Sequence, residues 1–172
     1  MLHKIIFTGP ESTGKSEMAR RLAERYATVW VPEFARAYLE GLGRPYRETD
    51  LLEIARGQIR LEEEAALQAR SGLLFCDTGL LVIKVWAEFK YGRCHPWIVE
   101  QLQARPYCLY VLCGIDIPWS PDPLRENPHE RELLYGIYRR ELQALGQPFL
   151  ELWGDWGERL AQMEAAVEEL MS

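Results

Sequence analysis

Residues Phe7–Tyr26 read FTGPESTGKSEMARRLAERY, and the spacing inside this stretch decides the fold class. Gly9, four residues, then Gly14-Lys15-Ser16 fit the pattern G-x-x-x-x-G-K-[ST] completely. The apolar run HKIIFT (His3 to Thr8) precedes it and reads as a strand. Met18, Ala19, Leu22 and Tyr26 follow at helical spacing, which predicts a helix from Lys15 to Tyr26. Each part of such a loop has a physical purpose. Glycines let successive main-chain N–H groups converge on an anion, and the helix that starts there turns its positive end toward it. Lys15 then bridges β- and γ-phosphates, and the Ser16 hydroxyl is placed to ligate Mg²⁺. Gly9, Glu11, Ser12, Thr13, Gly14, Lys15, Ser16 and Glu17 therefore form the expected nucleotide cradle. The competing reading is a glycine-rich turn with an incidental Lys-Ser.

Working outward, strand-like and helix-like segments alternate along the chain. TVWV (Thr28 to Val31) reads as a second strand stopped by Pro32. Asp50 with Glu53 resembles a capping pair, opening a helix that reaches about Ala69. LLFCD (Leu73 to Asp77) is a third strand, and a helical pattern follows through Lys84, Trp86 and Phe89. YCLYVLC (Tyr107 to Cys113) is a fourth. A loop rich in proline and charge comes next, then a helix near Glu132 to Leu145, the strand PFLELW and a last helix from Asp155. This alternation predicts an α/β fold of three layers, a parallel sheet between helices, in one domain over residues 1–172.

Composition limits the partners. With 172 residues, 48% of them apolar, the chain can bury a substantial core. A formal net charge of −6 argues against nucleic acid or an anionic membrane as a standing partner. No apolar run is long enough for a signal-peptide core or a membrane span, so a soluble cytoplasmic protein is expected. The four cysteines form no C-x-x-C pair and read as reduced, buried thiols. The three histidines show no metal-ligand spacing.

Ligands of open α/β sheets sit at the carboxyl ends of strands, and further candidates lie there. Asp77 ends the third strand, the layout of an acid that contacts Mg²⁺; the alternative is a cap on the following helix. Glu33 follows the second strand in VPEFAR, with Arg36 three residues on. A carboxylate there can take the proton of an attacking substrate hydroxyl while Arg36 steadies the acceptor. A surface ion pair on a helix is the alternative. Arg125 and Arg131, in the segment DPLRENPHERE, read as a kinase lid over about residues 118–131. Such a lid expels water and sets guanidinium charge on the transferring phosphoryl group; a solvated loop competes with it. Trp86, Trp97 or Trp119 supply a flat slot for a base, without the sequence choosing among them.

FTGPESTGKS, VPEFAR, Gly57-Gln58, CDTGLLVIKVW, HPWI and IDIPWSPDPLR together resemble the ribosylnicotinamide kinase domain of NadR-type proteins, over nearly the whole chain and in the family's order. The resemblance implies a P-loop kinase fold with five parallel strands ordered 2-3-1-4-5. It implies ATP and Mg²⁺ as cofactors, and transfer of the γ-phosphoryl group to the 5′-hydroxyl of nicotinamide riboside, giving nicotinamide mononucleotide. Lys15 and Ser16 would then serve ATP and Mg²⁺. Glu33, Arg36 and Asp77 would face the ribose and metal, with Trp86 and Trp119 as candidate substrate contacts. Arg125 and Arg131 would belong to the lid.

The chain departs from the family's pattern at several places. Gly79 stands where members often carry a second Asp, leaving that acid's work to Glu33, to Glu88 or to no residue. Glu17 replaces a hydroxyl residue after Ser16. Val31-Pro32 put no aromatic before Glu33, and Pro121-Asp122-Pro123 keep one acid before the lid. No H-x-G-H nucleotidyltransferase motif is present. The expectation is a free-standing kinase, coupled in function to a riboside transporter or a separate adenylyltransferase. The rival classes are a kinase of another nucleoside or small metabolite, and a regulatory P-loop ATPase.

Overall fold

Three strands that read as unbroken apolar runs in fact alternate between two cores. A computed structural model describes residues 1–172. In β1 (His3–Thr8), Ile6 faces one core while Ile5 and Phe7 face the other. β3 (Leu73–Asp77) repeats this with Leu74 and Cys76 against Leu73 and Phe75. β4 (Leu109–Cys113) does so with Tyr110 and Leu112 against Leu109, Val111 and Cys113. Period-2 side chains that are apolar on both faces call for helices on both sides, and so for parallel pairing through helical crossovers.

The crossovers are α1 (Lys15–Arg25), α2 (Phe34–Gly41), α3 (Glu48–Gln68), α4 (Leu80–Tyr91), α5 (Pro96–Ala104), α6 (Arg131–Leu145) and α7 (Trp156–Met171). With β2 (Trp30–Val31) and β5 (Phe149–Leu152) the sheet has five parallel strands in the order β2-β3-β1-β4-β5. This is the three-layer α/β fold and the strand order implied by the resemblance. One layer is built from α1 and α7, the other from α2 to α6. No helix is long and apolar enough to cross a membrane.

Several elements differ from the sequence expectation. β2 shrinks to two residues because Thr28 is diverted: its hydroxyl donates to Leu73 O at 2.8 Å and accepts from Arg70 N–H at 2.9 Å. Asp50 and Glu53 are not a capping pair. Asp50 is the third residue of α3 and accepts from Arg47 N–H at 2.7 Å, while Glu53 pairs with Arg56 at 2.9 Å. Asp50 also receives both arms of Arg44 at 2.9 Å and Tyr38 Oη at 2.8 Å. The Arg44 hydrogen bonds, then the Arg47 amide, hold its carboxyl far below the usual range. α5 was not expected; Pro96 opens it, and His95 Nδ1 caps it by accepting from Trp97 N–H at 3.2 Å. Of the cysteines, all free, Cys76 and Cys113 are buried and Cys94 and Cys108 only partly so.

Candidate active site

The nucleotide loop runs from the end of β1 into α1, and its conformation excludes side chains at its two glycines. Gly9 has φ +128° and Gly14 φ +84°. A methyl group on Gly14 would also lie 2.8 Å from the Trp156 ring and 3.0 Å from Ile117 Cδ1. Thr13 Oγ1 staples the loop internally, donating to Pro10 O at 2.8 Å. No side chain caps α1, so its first amides are free to meet an anion. Lys15 Nζ lies over the loop, donating to Gly9 O at 3.0 Å and Pro10 O at 2.6 Å. Glu17 borders the same cavity, but Arg20 at 2.9 Å and Arg21 at 2.6 Å bind its carboxylate and lower its pKa. Its negative charge is therefore matched locally.

Two carboxyls face this loop. Asp77, 2% exposed at the end of β3, accepts a hydrogen bond from Ser16 Oγ through Oδ2. Its Oδ1 is buried without a partner. Asp77 does not cap α4, whose N-cap is Gly79. The residue between them, Thr78, has φ +65°, a costly conformation for a β-branched residue and one that concentrates at working sites. A hydroxyl and an unpartnered carboxylate oxygen beside a phosphate cradle are the donor set of Mg²⁺, so Ser16 and Asp77 fit that ion.

Glu33 is placed by α3. Gln58 Oε1 accepts the Phe34 N–H at 2.9 Å, taking over the capping of α2. Gly57 lets the Phe34 ring lie on α3, since a Cβ there would come within 2.1 Å of it. The Glu33 side chain makes no cap hydrogen bond and borders the cavity. Burial first, then the Asp77 charge, push Glu33 up to about 7 against the pull of Lys15 and Arg36. Burial also raises Asp77, opposed by the Ser16 hydrogen bond. Two carboxyls so arranged titrate as a pair.

The cavity beneath measures about 610 Å³ and joins the nucleotide loop to a largely apolar recess. Glu33, Arg36 and Asp77 border it together with Trp86, Phe89 and Tyr138 from α4 and α6. Of the three candidate tryptophans only Trp86 lines it. Trp97 lies under Arg56, 5.5 Å from the guanidinium carbon. Trp119 stands outside the lining, near Arg125 and Arg131 at 5.9 and 5.8 Å. Glu88 also stays out, bound to Lys84 at 2.9 Å.

Residues 114–130 are irregular, and Leu124 to Asn127 of this segment border the cavity. Glu11 accepts from the N–H groups of Glu126 and Asn127, all at 3.2 Å. Ser12 Oγ accepts from Ser120 N–H at 2.9 Å, and Arg36 pairs with Asp122 at 3.0 Å. Arg125 borders the cavity. Arg131 does not: it begins α6 and donates to Ser12 O at 3.1 Å and Ile117 O at 2.8 Å, fastening the segment before α6 to the nucleotide loop.

Sequence reading missed Arg159, the largest fully buried side chain. From α7 it donates to Thr13 O at 2.8 Å, Gly114 O at 3.0 Å and Gly154 O at 2.9 Å, and it pairs with Asp116. One guanidinium thus ties the nucleotide loop to the turns after β4 and β5.

The profile of the family described as AAA domain matches residues 4–159. No curated protein sequence matches the chain. Among solved structures, NadR protein in complex with NR superposes with a TM-score of 0.80 at 22% identity, over 98% of this chain and 51% of that one. NadR in complex with NAD and AMP-PNP gives 0.78 at 22% identity, over 98% and 49%. This chain therefore spans about half the length of those NadR chains. Thymidylate kinase from Ehrlichia chaffeensis gives 0.66 at 12% identity, over 99% and 98%. The fold is that of P-loop nucleoside and nucleotide kinases, and with nine-tenths of its length matched the chain belongs to the AAA domain family.

Proposed function

We propose that the chain is an ATP-dependent kinase, a single domain over residues 1–172, that phosphorylates the 5′-hydroxyl of nicotinamide riboside. The observation that carries this reading is one continuous cavity in which a phosphate loop, two carboxyls and an aromatic recess meet. A switch ATPase needs the first two but not the recess. The likeness to NadR bound to NR, read as nicotinamide riboside, supports the choice of acceptor.

ATP is cradled by the amides of the loop, with Lys15 turning from Gly9 O and Pro10 O to the phosphates. Glu33, titrating near neutrality, takes the proton of the 5′-hydroxyl as that oxygen attacks. Arg36, held by Asp122, orients the ribose. Arg125 faces the charge that develops on the transferring group, and Arg131 keeps the lid seated over it. Mg²⁺, held by Ser16 and Asp77, would neutralise phosphate charge when bound. Such an enzyme works in the cytoplasm, downstream of a riboside transporter and upstream of an adenylyltransferase.

Gly79 and the absence of an aromatic before Glu33 favour, as second reading, the same chemistry on another nucleoside. Mass detection of phosphorylated product from ATP and a panel of ribosides separates the two. Nicotinamide mononucleotide should dominate; a different phosphorylated riboside selects the second reading. Lys15→Ala should lower turnover by orders of magnitude with the fold retained, and unchanged turnover rejects both.

A further inference from the structure

The segment between α2 and α3 carries Tyr46, which the mechanism above does not use. A phenol has one proton and two main acceptor positions, and here all three are occupied. Tyr46 Oη accepts from Trp86 Nε1 at 3.0 Å and from Lys90 Nζ, and it donates to Glu126 Oε2 at 2.7 Å. All three partners line the cavity, Trp86 and Lys90 from α4 and Glu126 from the lid. The main-chain N–H of that same Glu126 donates to Glu11 in the nucleotide loop. One lid residue thus grips the nucleotide loop through its backbone and the acceptor wall through its carboxylate.

A surface ion pair would not do this. The Lys90–Glu126 pair at 3.2 Å is 39% and 40% exposed, a kind that contributes little by itself. Tyr46 adds direction to it. Its ring meets the Trp86 indole edge-on, with centroids 5.0 Å apart and planes at 72°, so hydroxyl and ring together fix the indole's orientation.

We propose that Tyr46 is a positioning residue that couples the lid to the acceptor wall, so that nucleotide bound in the loop is felt at Trp86. A shift of Glu11 on nucleotide binding moves the Glu126 backbone, the Glu126 carboxylate carries the Tyr46 hydroxyl, and the hydroxyl turns the indole. Coupling of this kind is reciprocal, so a molecule lying against Trp86 also tightens the lid over the nucleotide. The inference deepens the kinase reading and rests on it only for the identity of that molecule.

The test is the indole ¹H–¹⁵N spectrum of the full chain, with the Trp86 signal identified from Trp86→Phe. Adding AMP-PNP with Mg²⁺ should shift the Trp86 signal in the wild type. Tyr46→Phe keeps the ring and loses the hydroxyl. It should bind AMP-PNP within about twofold of wild type, because Tyr46 does not line the cavity, and lose about two-thirds or more of the shift. Glu126→Ala removes the acceptor altogether. Because Glu126 borders the cavity, it is compared at saturating AMP-PNP, where it should lose the shift equally. It serves alone if the remaining indole signals show that Tyr46→Phe has disturbed the fold. No Trp86 shift in the wild type, or a full shift in the well-folded variant, overturns the proposal. Nicotinamide riboside turnover by the same wild-type sample is scored separately. Coupling without mononucleotide sinks only the acceptor assignment, and mononucleotide with undiminished shift in the variant sinks only the coupling.

Discussion

Ser16 Oγ donates a hydrogen bond to Asp77 Oδ2, fastening the first turn of α1 to the end of β3 at the floor of the cavity. The other Asp77 oxygen has no partner, although the residue is only 2% exposed. A buried carboxylate left half-satisfied costs stability, which fits a group kept for chemistry. Asp77→Asn removes that charge while leaving an oxygen for Ser16. It should raise stability by about 1 kcal/mol, by denaturant titration, and lower kcat by about 10²–10³. A variant that is less stable and fully active would show that Asp77 is structural.

The proposed role of Glu33 as base gives the activity a pH dependence with a defined sign. Its carboxyl is pushed up to about 7 by burial and by Asp77, and only the deprotonated form accepts a proton. Log kcat/KM should therefore climb with pH and level off above about 7. Glu33→Gln should flatten that limb and cost about 10²–10⁴ in rate. Because the Asp77 charge contributes to the shift, residual activity of Asp77→Asn should show its limb at lower pH. A pH–rate profile of the three proteins checks both statements.

Glu62 predicts a stability effect remote from the cavity. It lies wholly buried on α3, accepts from Tyr107 Oη at 2.9 Å through Oε2, and leaves Oε1 unpartnered. Burial pushes it up to about 7, opposed by the Tyr107 hydrogen bond, from an ordinary value of 4.5. A carboxyl raised in the folded state binds protons more tightly there than in the unfolded chain. Its stabilising contribution is complete below about 4.5 and is lost as pH rises through about 7, by at most about 3 kcal/mol. Glu62→Gln should remove that fall between pH 5 and pH 8. Chemical denaturation across the range measures it.

What could be read in the sequence was what is local along the chain. The P-loop is eight consecutive residues whose spacing states its geometry, and LLFCD is bounded to the residue because a charged Asp77 ends a doubly buried run. Glu33 and Asp77 are legible as candidates because strand ends are where ligands collect. α5 left a signal, Pro96 after a capping His95 with Ile98 and Leu102 four apart, but its short polar pattern did not stand out. Arg131 reads as a lid group and Trp119 as a substrate contact, and only the fold shows them outside the cavity lining. Tyr46 and Arg159 left no signal at all. The partners of Tyr46 lie 40, 44 and 80 positions away, and Arg159 reads as one more charge on an amphipathic helix.

Arg159 is therefore the sharpest case of a residue whose importance only the fold discloses. It sits at 0% exposure with hydrogen bonds to Thr13, Gly114 and Gly154 carbonyls, while Asp116 remains 34% exposed. Arg159→Met fills much of the same volume but strips three carbonyls, two of them buried, and one carboxylate of their donor. The cost should be about 3 kcal/mol, toward the low end for a broken buried pair because water can still reach Asp116. For a chain of this size that is a fall in Tm of about 6–12 °C. Since Thr13 belongs to the nucleotide loop, KM for ATP should rise more than kcat falls. Arg159→Lys should recover only part of the loss, because one ammonium cannot span the three carbonyls that a planar fork reaches. Thermal melts alongside ATP titrations separate the two effects. A stable Arg159→Met with unchanged KM for ATP would show that the loop holds its shape without the clamp.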